Sequence, residues 1–331
     1  MTNVHGNGNR VRWGILGAGK IAREWVVPGI HMSDRGELAA VASRTPGKAA
    51  ALAAPYGAGV RLHDDYDALL ADPEVDAIYI PLPNDAHVAW TRKCLEAGKP
   101  VLCEKPIALR AEEIDGLIAL RDETGLLAAE AFMVTHHPQW IRARELVAEG
   151  AIGRLTAVQG AFSFYNPDPA NIRNMPELGG GALRDIGVYP AISTRFVSGA
   201  EPTAVPYARI DWDGGIDATA RAVVDFPGFT LDFYVSMRLA PRQIMTFHGD
   251  EGWLSVHAPF NAGAYGDPVI ELRSADARTV FERFPRSDQY RAQIDAFNAS
   301  LLDGVPYACP LEMSRGNQRL IDMIYAAAGP A

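Results

Sequence analysis

The chain has 331 residues, 48% hydrophobic and 21% charged, with 31 Lys+Arg against 40 Asp+Glu and a formal net charge of -9. That length suits two domains and buries enough surface to fold without disulfides or a structural metal. The acidic balance argues against a nucleic-acid partner, and no apolar run reaches the ~18 residues of a membrane span.

The first ten residues, MTNVHGNGNR, are polar and read as a disordered tail. Arg12–Leu16 reads as a strand, Ile21–Met32 as a helix or helix plus loop, Leu38–Ser43 as a strand and Pro46–Tyr56 as an Ala-rich helix. Val60–Leu62 is a short strand and Asp65–Ala71 a short helix. Asp76–Ile80 is a strand, Asp85–Ala97 a helix, Val101–Glu104 a strand, Ala111–Thr124 a helix and Leu126–Ala131 the closing strand. This βαβα alternation predicts an α/β, doubly wound parallel sheet over residues 11–135.

Pro138–Glu149 reads as a linking helix, after which strands dominate: Leu155–Tyr165, Val205–Asp211, Ala218–Asp225, Thr230–Met237, Gln243–His248, Val269–Leu272 and Thr279–Phe284. The helix Gly181–Val197 interrupts them, and Tyr290–Leu302 and Leu311–Ala328 finish the chain. Residues 136–331 are therefore expected to form an α+β domain with a large open, mostly antiparallel sheet, the last helix returning toward the first domain. A cleft between two such domains is where a substrate would meet a cofactor.

The first strand runs into Gly17-Ala18-Gly19-Lys20-Ile21-Ala22, a G-x-G-x-x-A turn. Gly17 permits the turn, Gly19 lets the backbone approach a pyrophosphate, and Ala22 lets the helix sit close to the sheet. The helix N-terminus presents N–H groups to the phosphates. Such a triplet also makes ordinary tight turns, but a strand before it and a helix and strand after it favour a dinucleotide. The second strand ends at Ser43-Arg44, with Lys48 behind. NAD selection usually places a carboxylate here; a hydroxyl and a guanidinium suit the 2′-phosphate of NADP(H), so NADP(H) is favoured over NAD(H). A solvated surface arginine is the competing reading.

Glu104-Lys105-Pro106 ends the strand Val101–Glu104, so Lys105 is expected at the ligand end of the sheet, either to hydrogen-bond a substrate hydroxyl or as an ordinary surface lysine. Three glycines, Gly179, Gly180 and Gly181, lead into Asp185 and Tyr189. They imply close backbone contact with some group. The four-residue spacing puts a carboxylate and a phenol on one helix face, a proton-handling pair or simply a polar face with a partly buried tyrosine.

These residues resemble the glucose-fructose oxidoreductase and inositol dehydrogenase (Gfo/Idh/MocA) family over nearly the whole chain. The resemblance rests on the Gly17–Ala22 turn, on Pro81-Leu82-Pro83-Asn84-Asp85-Ala86-His87, on Glu104-Lys105-Pro106 and on Asp185-x-x-x-Tyr189. Tyrosine at 189, where inositol dehydrogenases have histidine, is similar to the dimeric dihydrodiol dehydrogenase and NADP-dependent D-xylose dehydrogenase branch. The family's Asn-Trp-Arg segment is matched by Asn171-Ile172-Arg173, with Ile172 as a departure. The resemblance implies a Rossmann-type first domain and hydride transfer between NADP(H) and a sugar, diol or dicarbonyl. In it Tyr189 is the general acid or base, Asp185 supports it, and Lys105 orients the substrate and the nicotinamide ribose. Gly17, Ala18, Gly19, Lys20, Ile21, Pro81, Leu82, Asn84, His87 and Glu104 line the cofactor groove, and Arg173 reaches the nicotinamide or substrate. The family's open sheet commonly forms a dimer interface, which implies a homo-oligomer.

No zinc-ligand spacing occurs, so polarisation of the substrate oxygen falls to Lys105 and Tyr189 and no metal is expected. His136-His137 and Tyr290 are weaker substrate candidates, while Trp140, Trp212 and Trp253 read as core. Cys94, Cys103 and Cys309 form no C-x-x-C pair, and a reducing cytoplasm is the expected setting. Two other functions remain open: a regulatory sensor on the same fold, and a glycosidase that uses the nicotinamide transiently.

Overall fold

The structure is a computed structural model in which residues 9–329 are described. The expected tail falls almost wholly outside that range. The chain divides into two compact units. The first runs through Ala108 and adds Glu112–Met133 and Gln289–Arg315; the second holds Leu109–Ala111, Val134–Asp288 and the chain from Gly316.

In the first unit, six parallel strands alternate with helices: β1 (Val11–Leu16), α1 (Val27–Met32), β2 (Gly36–Ala42), α2 (Lys48–Ala53), β3 (Arg61–His63), α3 (Tyr66–Leu70), β4 (Ala77–Ile80), α4 (His87–Glu96), β5 (Val101–Cys103), α5 (Ala111–Thr124) and β6 (Ala128–Glu130). The order β3-β2-β1-β4-β5-β6 reverses direction between β1 and β4, the switch point where ligands bind in doubly wound sheets. Residues such as Trp13, Ile15, Ile78, Tyr79 and Leu102 are fully buried, as strands covered on both faces require.

The expected helix Ile21–Met32 is interrupted. Ala22–Val26 forms a π turn in which the Val27 N–H reaches the Ala22 carbonyl, followed by α1. Pro28 explains it: its ring conflicts with the carbonyl four residues back, and the wider turn makes room.

The division between the units departs from the sequence boundary. The penultimate helix, α8 (Gln289–Asp303), lies in the first unit, as does the start of the last helix. It is held by a buried bond from Trp13 Nε1 to Asn298 Oδ1 at 3.0 Å and by the Trp13 and Phe297 rings at 5.0 Å. Gly29 on α1 permits this approach, because a Cβ there would lie 3.0 Å from the Arg291 amide. The last helix, α9 (Leu311–Ala328), contains the boundary at Arg315/Gly316.

The second unit packs α6 (Pro138–Ala148) and α7 (Val188–Ser198) against a sheet of β7 (Leu155–Tyr165), β8 (Ala204–Asp213), β9 (Ile216–Phe226), β10 (Phe229–Ser236), β11 (Arg238–Gly249), β12 (Gly252–Val256), β13 (Val269–Ser274) and β14 (Thr279–Arg283). The order is β14-β13-β12-β11-β7-β10-β9-β8, antiparallel except for β7 with β10. Gly160 on β7 lets α7 sit close, a Cβ there lying 3.4 Å from Pro190. Strand β10 shows the one-sided burial: Leu231, Phe233 and Val235 are buried, whereas Thr230, Asp232 and Tyr234 are not. Strand β12 is not among the strands expected from the sequence. Its Trp253 is half-buried, and Trp212 is 38% exposed against Tyr325, so neither is the core residue expected.

Candidate active site

The glycine turn follows β1 directly. Gly17 takes φ +119°, a value that favours glycine, and its N–H bonds the Ala42 carbonyl at 2.9 Å. A Cβ at Gly17 would lie 2.9 Å from Leu82 Cδ2, and one at Gly19 would lie 2.9 Å from the Pro81 carbonyl oxygen. Gly17 is thus favoured by its backbone angle and Gly19 by the backbone of the segment after β4, on the far side of the switch point, whatever binds above them. Ala18 and Ile21 are half-buried, Lys20 is exposed, and the helix opens at Lys20. Its first-turn N–H groups have no intrahelical acceptor and suit a pyrophosphate.

Beyond β2, buried Ser43 is tied to its own turn, its hydroxyl accepting from the Thr45 N–H at 3.2 Å. Arg44 is exposed and lays its guanidinium 5.1 Å from the centroid of the Tyr66 ring. Tyr66 is buried and braced edge-on by Trp90 at 5.1 Å. Among the described residues neither Arg44 nor the exposed Lys48 forms an ion pair. A pre-placed cation without a carboxylate partner is what a 2′-phosphate requires. Tyr66 carries no signal of its own in the sequence, where it is the second residue of the short helix expected over Asp65–Ala71.

Lys105 follows β5 and is half-buried, and its bond to Pro106 is cis. Glu104, 9% exposed, accepts the Tyr79 hydroxyl at 2.5 Å; burial first, and then the Glu104 charge, raise the Tyr79 phenol well above its ordinary pKa. His87 stands differently from expectation. It is fully buried, with its two ring nitrogens each 2.8 Å from a carbonyl oxygen, of Pro106 and of Leu82. Burial pushes its pKa down, against the pull of those two carbonyls. Rather than lining a groove, the ring ties the segment Pro81–Asn84 to the turn that carries Lys105. Leu82 is buried behind it, and Pro81 and Asn84 are half-buried.

In the second unit the three glycines answer to the protein itself. A Cβ at Gly180 would meet the Arg173 carbonyl at 2.5 Å. At Gly181, where φ is +132°, it would lie 1.8 Å from Asp217 Oδ1. Asp217, at the start of β9, accepts the Leu183 N–H at 2.6 Å and the Tyr325 hydroxyl at 2.8 Å. Burial pushes its carboxyl up to about 6. Asp217 thereby anchors the π turn Leu183–Gly187 that precedes α7 and contains Asp185. Arg173 donates its Nε to Asp185 Oδ2 at 2.6 Å, so the arginine assigned to the cofactor is held by the carboxylate assigned to Tyr189.

Tyr189 is 6% exposed, its ring 5.6 Å from Phe162 and 5.4 Å from Phe260, which themselves stack at 4.9 Å. Trp140 stacks on Phe260 and donates to the Pro259 carbonyl at 2.7 Å; Gln139 donates to the Ala258 carbonyl at 2.9 Å. The start of α6 thus fixes the loop that encloses the tyrosine. His137 caps α6 by accepting the Gln139 N–H at 3.1 Å, and burial lowers both His136 and His137 to about 4, leaving them neutral. Tyr290 is buried and stacks on Trp25 at 5.5 Å. Asp217, Tyr325, Phe162 and Phe260 carry no sequence signal, since each acts through partners far away along the chain.

Two family profiles match the chain: the Gfo/Idh/MocA oxidoreductase family, NAD-binding Rossmann fold, over residues 11–132, and the Gfo/Idh/MocA C-terminal domain over residues 140–255. The chain belongs to the Gfo/Idh/MocA oxidoreductase family. It is 42% identical to an uncharacterized oxidoreductase, ORF334, of Rhizobium meliloti, covering 96% of this chain and 97% of that one. It is 35% identical, over 96% and 97% of the two chains, to D-xylose 1-dehydrogenase (NADP(+)) 2 of Haloferax volcanii. Among solved structures it resembles KijD10, a 3-ketoreductase from Actinomadura kijaniata in complex with NADP and TDP-benzene. The TM-score is 0.87 and the identity 30%, with 96% of this chain and 98% of that one covered. The first profile spans all six strands of the first unit and the second lies within the second unit, and among the described residues no helix is long and apolar enough to cross a membrane.

Proposed function

We propose that this Gfo/Idh/MocA oxidoreductase uses NADP(H) to interconvert a hydroxyl and a carbonyl group on a sugar or related polyol. The observation that carries the cofactor choice is Arg44, stacked on Tyr66 at the end of β2 with no ion-pair partner among the described residues. The residues fit a dinucleotide: the Gly17–Gly19 turn and the first N–H groups of the helix would take the pyrophosphate, and Ser43, Arg44 and Lys48 the 2′-phosphate. Relatives named as an NADP-dependent D-xylose dehydrogenase and as a 3-ketoreductase support a sugar substrate.

Bound NADP(H) supplies or accepts the hydride. In the oxidative direction the Tyr189 phenolate takes the substrate hydroxyl proton and becomes the phenol, and in reduction the phenol returns it; such proton transfer contributes about 10²–10⁴ in rate. The ion pair of Asp185 with Arg173 fixes the turn before Tyr189, and the Phe162–Phe260 wall excludes water from one side of the phenol. Lys105 donates to the substrate oxygen and orients it. We further propose a cytoplasmic homo-oligomer joined through the sheet face that carries Thr230, Asp232 and Tyr234.

The test is a panel of aldoses and diols with NADP⁺, run beside dicarbonyls with NADPH and followed by nicotinamide absorbance. NADPH accumulation with an aldose or diol, or its consumption with a carbonyl, supports the reading. Cleavage of a glycoside without net change in the nicotinamide overturns it in favour of hydrolysis.

A further inference from the structure

Glu130 is a buried ionisable group with no part in the mechanism above. It ends β6 and is 3% exposed. The parallel register sets it opposite Cys103, the last residue of β5, so it lies beside the strand end from which Glu104 and Lys105 follow. Its Oε1 accepts the N–H of Ile107, two residues after Lys105, at 2.9 Å. The groups around it come from three places. The turn after β5 supplies the Lys105 ammonium, which favours its ionised form, and Glu104, which opposes it; α9 supplies the Ser314 hydroxyl, which favours it. The Cys103 thiol on β5 is neutral, raised by burial. Glu104 is itself engaged by the Tyr79 hydroxyl.

A polar side chain at a fully buried strand end needs a reason, because an apolar residue there would stabilise the sheet at no electrostatic cost. Binding one backbone N–H would not require a charge; glutamine would serve. The feature that a carboxylate adds is its interaction with Lys105. We propose that Glu130 is a positioning residue for Lys105: it clamps the Lys105-Pro106-Ile107 turn through the Ile107 amide and, together with Glu104, provides the negative field that orients the Lys105 ammonium toward the substrate oxygen. This rests on the reading of Lys105 as the substrate-orienting group.

Burial pushes the Glu130 carboxyl up to about 7, so the charge is present above neutrality and is lost as the pH falls through it. The neutral acid still accepts the Ile107 N–H but no longer attracts the ammonium, and Lys105 is then oriented by Glu104 alone. Activity that depends on the orientation of Lys105 therefore acquires an acid limb near neutral pH.

The experiment is a double-mutant cycle of Lys105→Met and Glu130→Gln, each variant profiled against pH with the fastest substrate of the panel above. Glu130→Gln lowers kcat/KM at least about tenfold and flattens its profile within about a unit of neutrality, while leaving NADPH affinity by fluorescence titration within about twofold. In the Lys105→Met background the same substitution changes the rate by less than about twofold. A second readout needs no substrate: above neutral pH, Lys105→Met lowers the melting temperature by leaving Glu130 without its counter-charge, and adding Glu130→Gln restores it. Equal losses in both backgrounds, or additive melting shifts, overturn the proposal. If Lys105→Met turns over like the wild type, the reading of Lys105 fails instead.

Discussion

Replacing Asp217 separates two roles that a buried carboxylate combines. Asp217→Ala removes the acceptor of two buried donors, the Leu183 N–H and the Tyr325 hydroxyl. At about 1–3 kcal/mol for each orphaned donor, the cost is about 2–6 kcal/mol, or roughly 5–20 °C in melting temperature for a domain of this size. Asp217→Asn keeps an amide oxygen for Leu183 and an amide group that can bond the tyrosine oxygen, but carries no charge. The carboxyl stands at about 6 in the folded chain against an ordinary 3.8. Its folded pKa is raised, so between 3.8 and 6 the folded state holds a proton that the unfolded state has released, and stability falls as pH rises through this window. The shift corresponds to about 3 kcal/mol that asparagine does not lose. Thermal melts followed by near-UV circular dichroism, at about pH 5 and about pH 7.5, should therefore show the alanine variant furthest below wild type at the lower value. The asparagine variant should gain on wild type at the higher pH. If the two variants fall together at both pH values, the assignment of Asp217 as a neutral-preferring anchor of the π turn is refuted.

Arg44→Ala should raise the KM for NADP(H) by about 10–150-fold while changing that for NAD(H) little, because only the phosphate loses a charge-assisted bond; equal changes for both would contradict a phosphate site. Tyr66→Leu should move the same ratio in the same direction by about 2–5-fold, through loss of the cation–π contact that holds Arg44. His136 and His137 stand at about 4 against an ordinary 6.5, so their folded pKa values are lowered; the stability they contribute is present above 6.5 and is lost as the pH falls toward 4. Replacing His136 with Gln should flatten that part of a melting-temperature profile, opposite in sign to Asp217→Asn. Phe260→Ala should cost about 3–5 kcal/mol of stability and slow turnover by unpacking Tyr189; a fully active, stable variant would show that the wall around the tyrosine is dispensable.

The first unit was the more legible in the sequence, because local chemistry fixes most of it. A strand, a glycine turn and a helix announce themselves within fifteen residues, and Ala111–Thr124 has the bounds expected of it; in the helix that crosses the unit boundary, so does Leu311–Ala328. What remained hidden depends on distance along the chain. Gly19 reads as a phosphate-binding residue, yet the contact that forbids a side chain there is the Pro81 carbonyl. Gly181 reads as a backbone approach to a ligand, and its neighbour is Asp217. His87 reads as part of a groove, and is a buried brace between two carbonyls. In each case the residue type was informative about crowding but silent about the partner, which only the fold supplies. The docking of α8 on the first unit was likewise invisible, since Trp13 and Asn298 are brought together by the whole intervening domain.

The most direct test of the account is isotope transfer. Perdeuterated D-xylose, or the best aldose or diol of the panel in the same form, is incubated with NADP⁺ and the reduced nicotinamide is examined by mass spectrometry. The account predicts NADPH carrying a single deuteron with the wild-type chain, and formation slowed about 10²–10⁴-fold in Tyr189→Phe with NADP⁺ affinity retained. Unlabelled NADPH, no reduction with any sugar or diol, or wild-type turnover in Tyr189→Phe would contradict it.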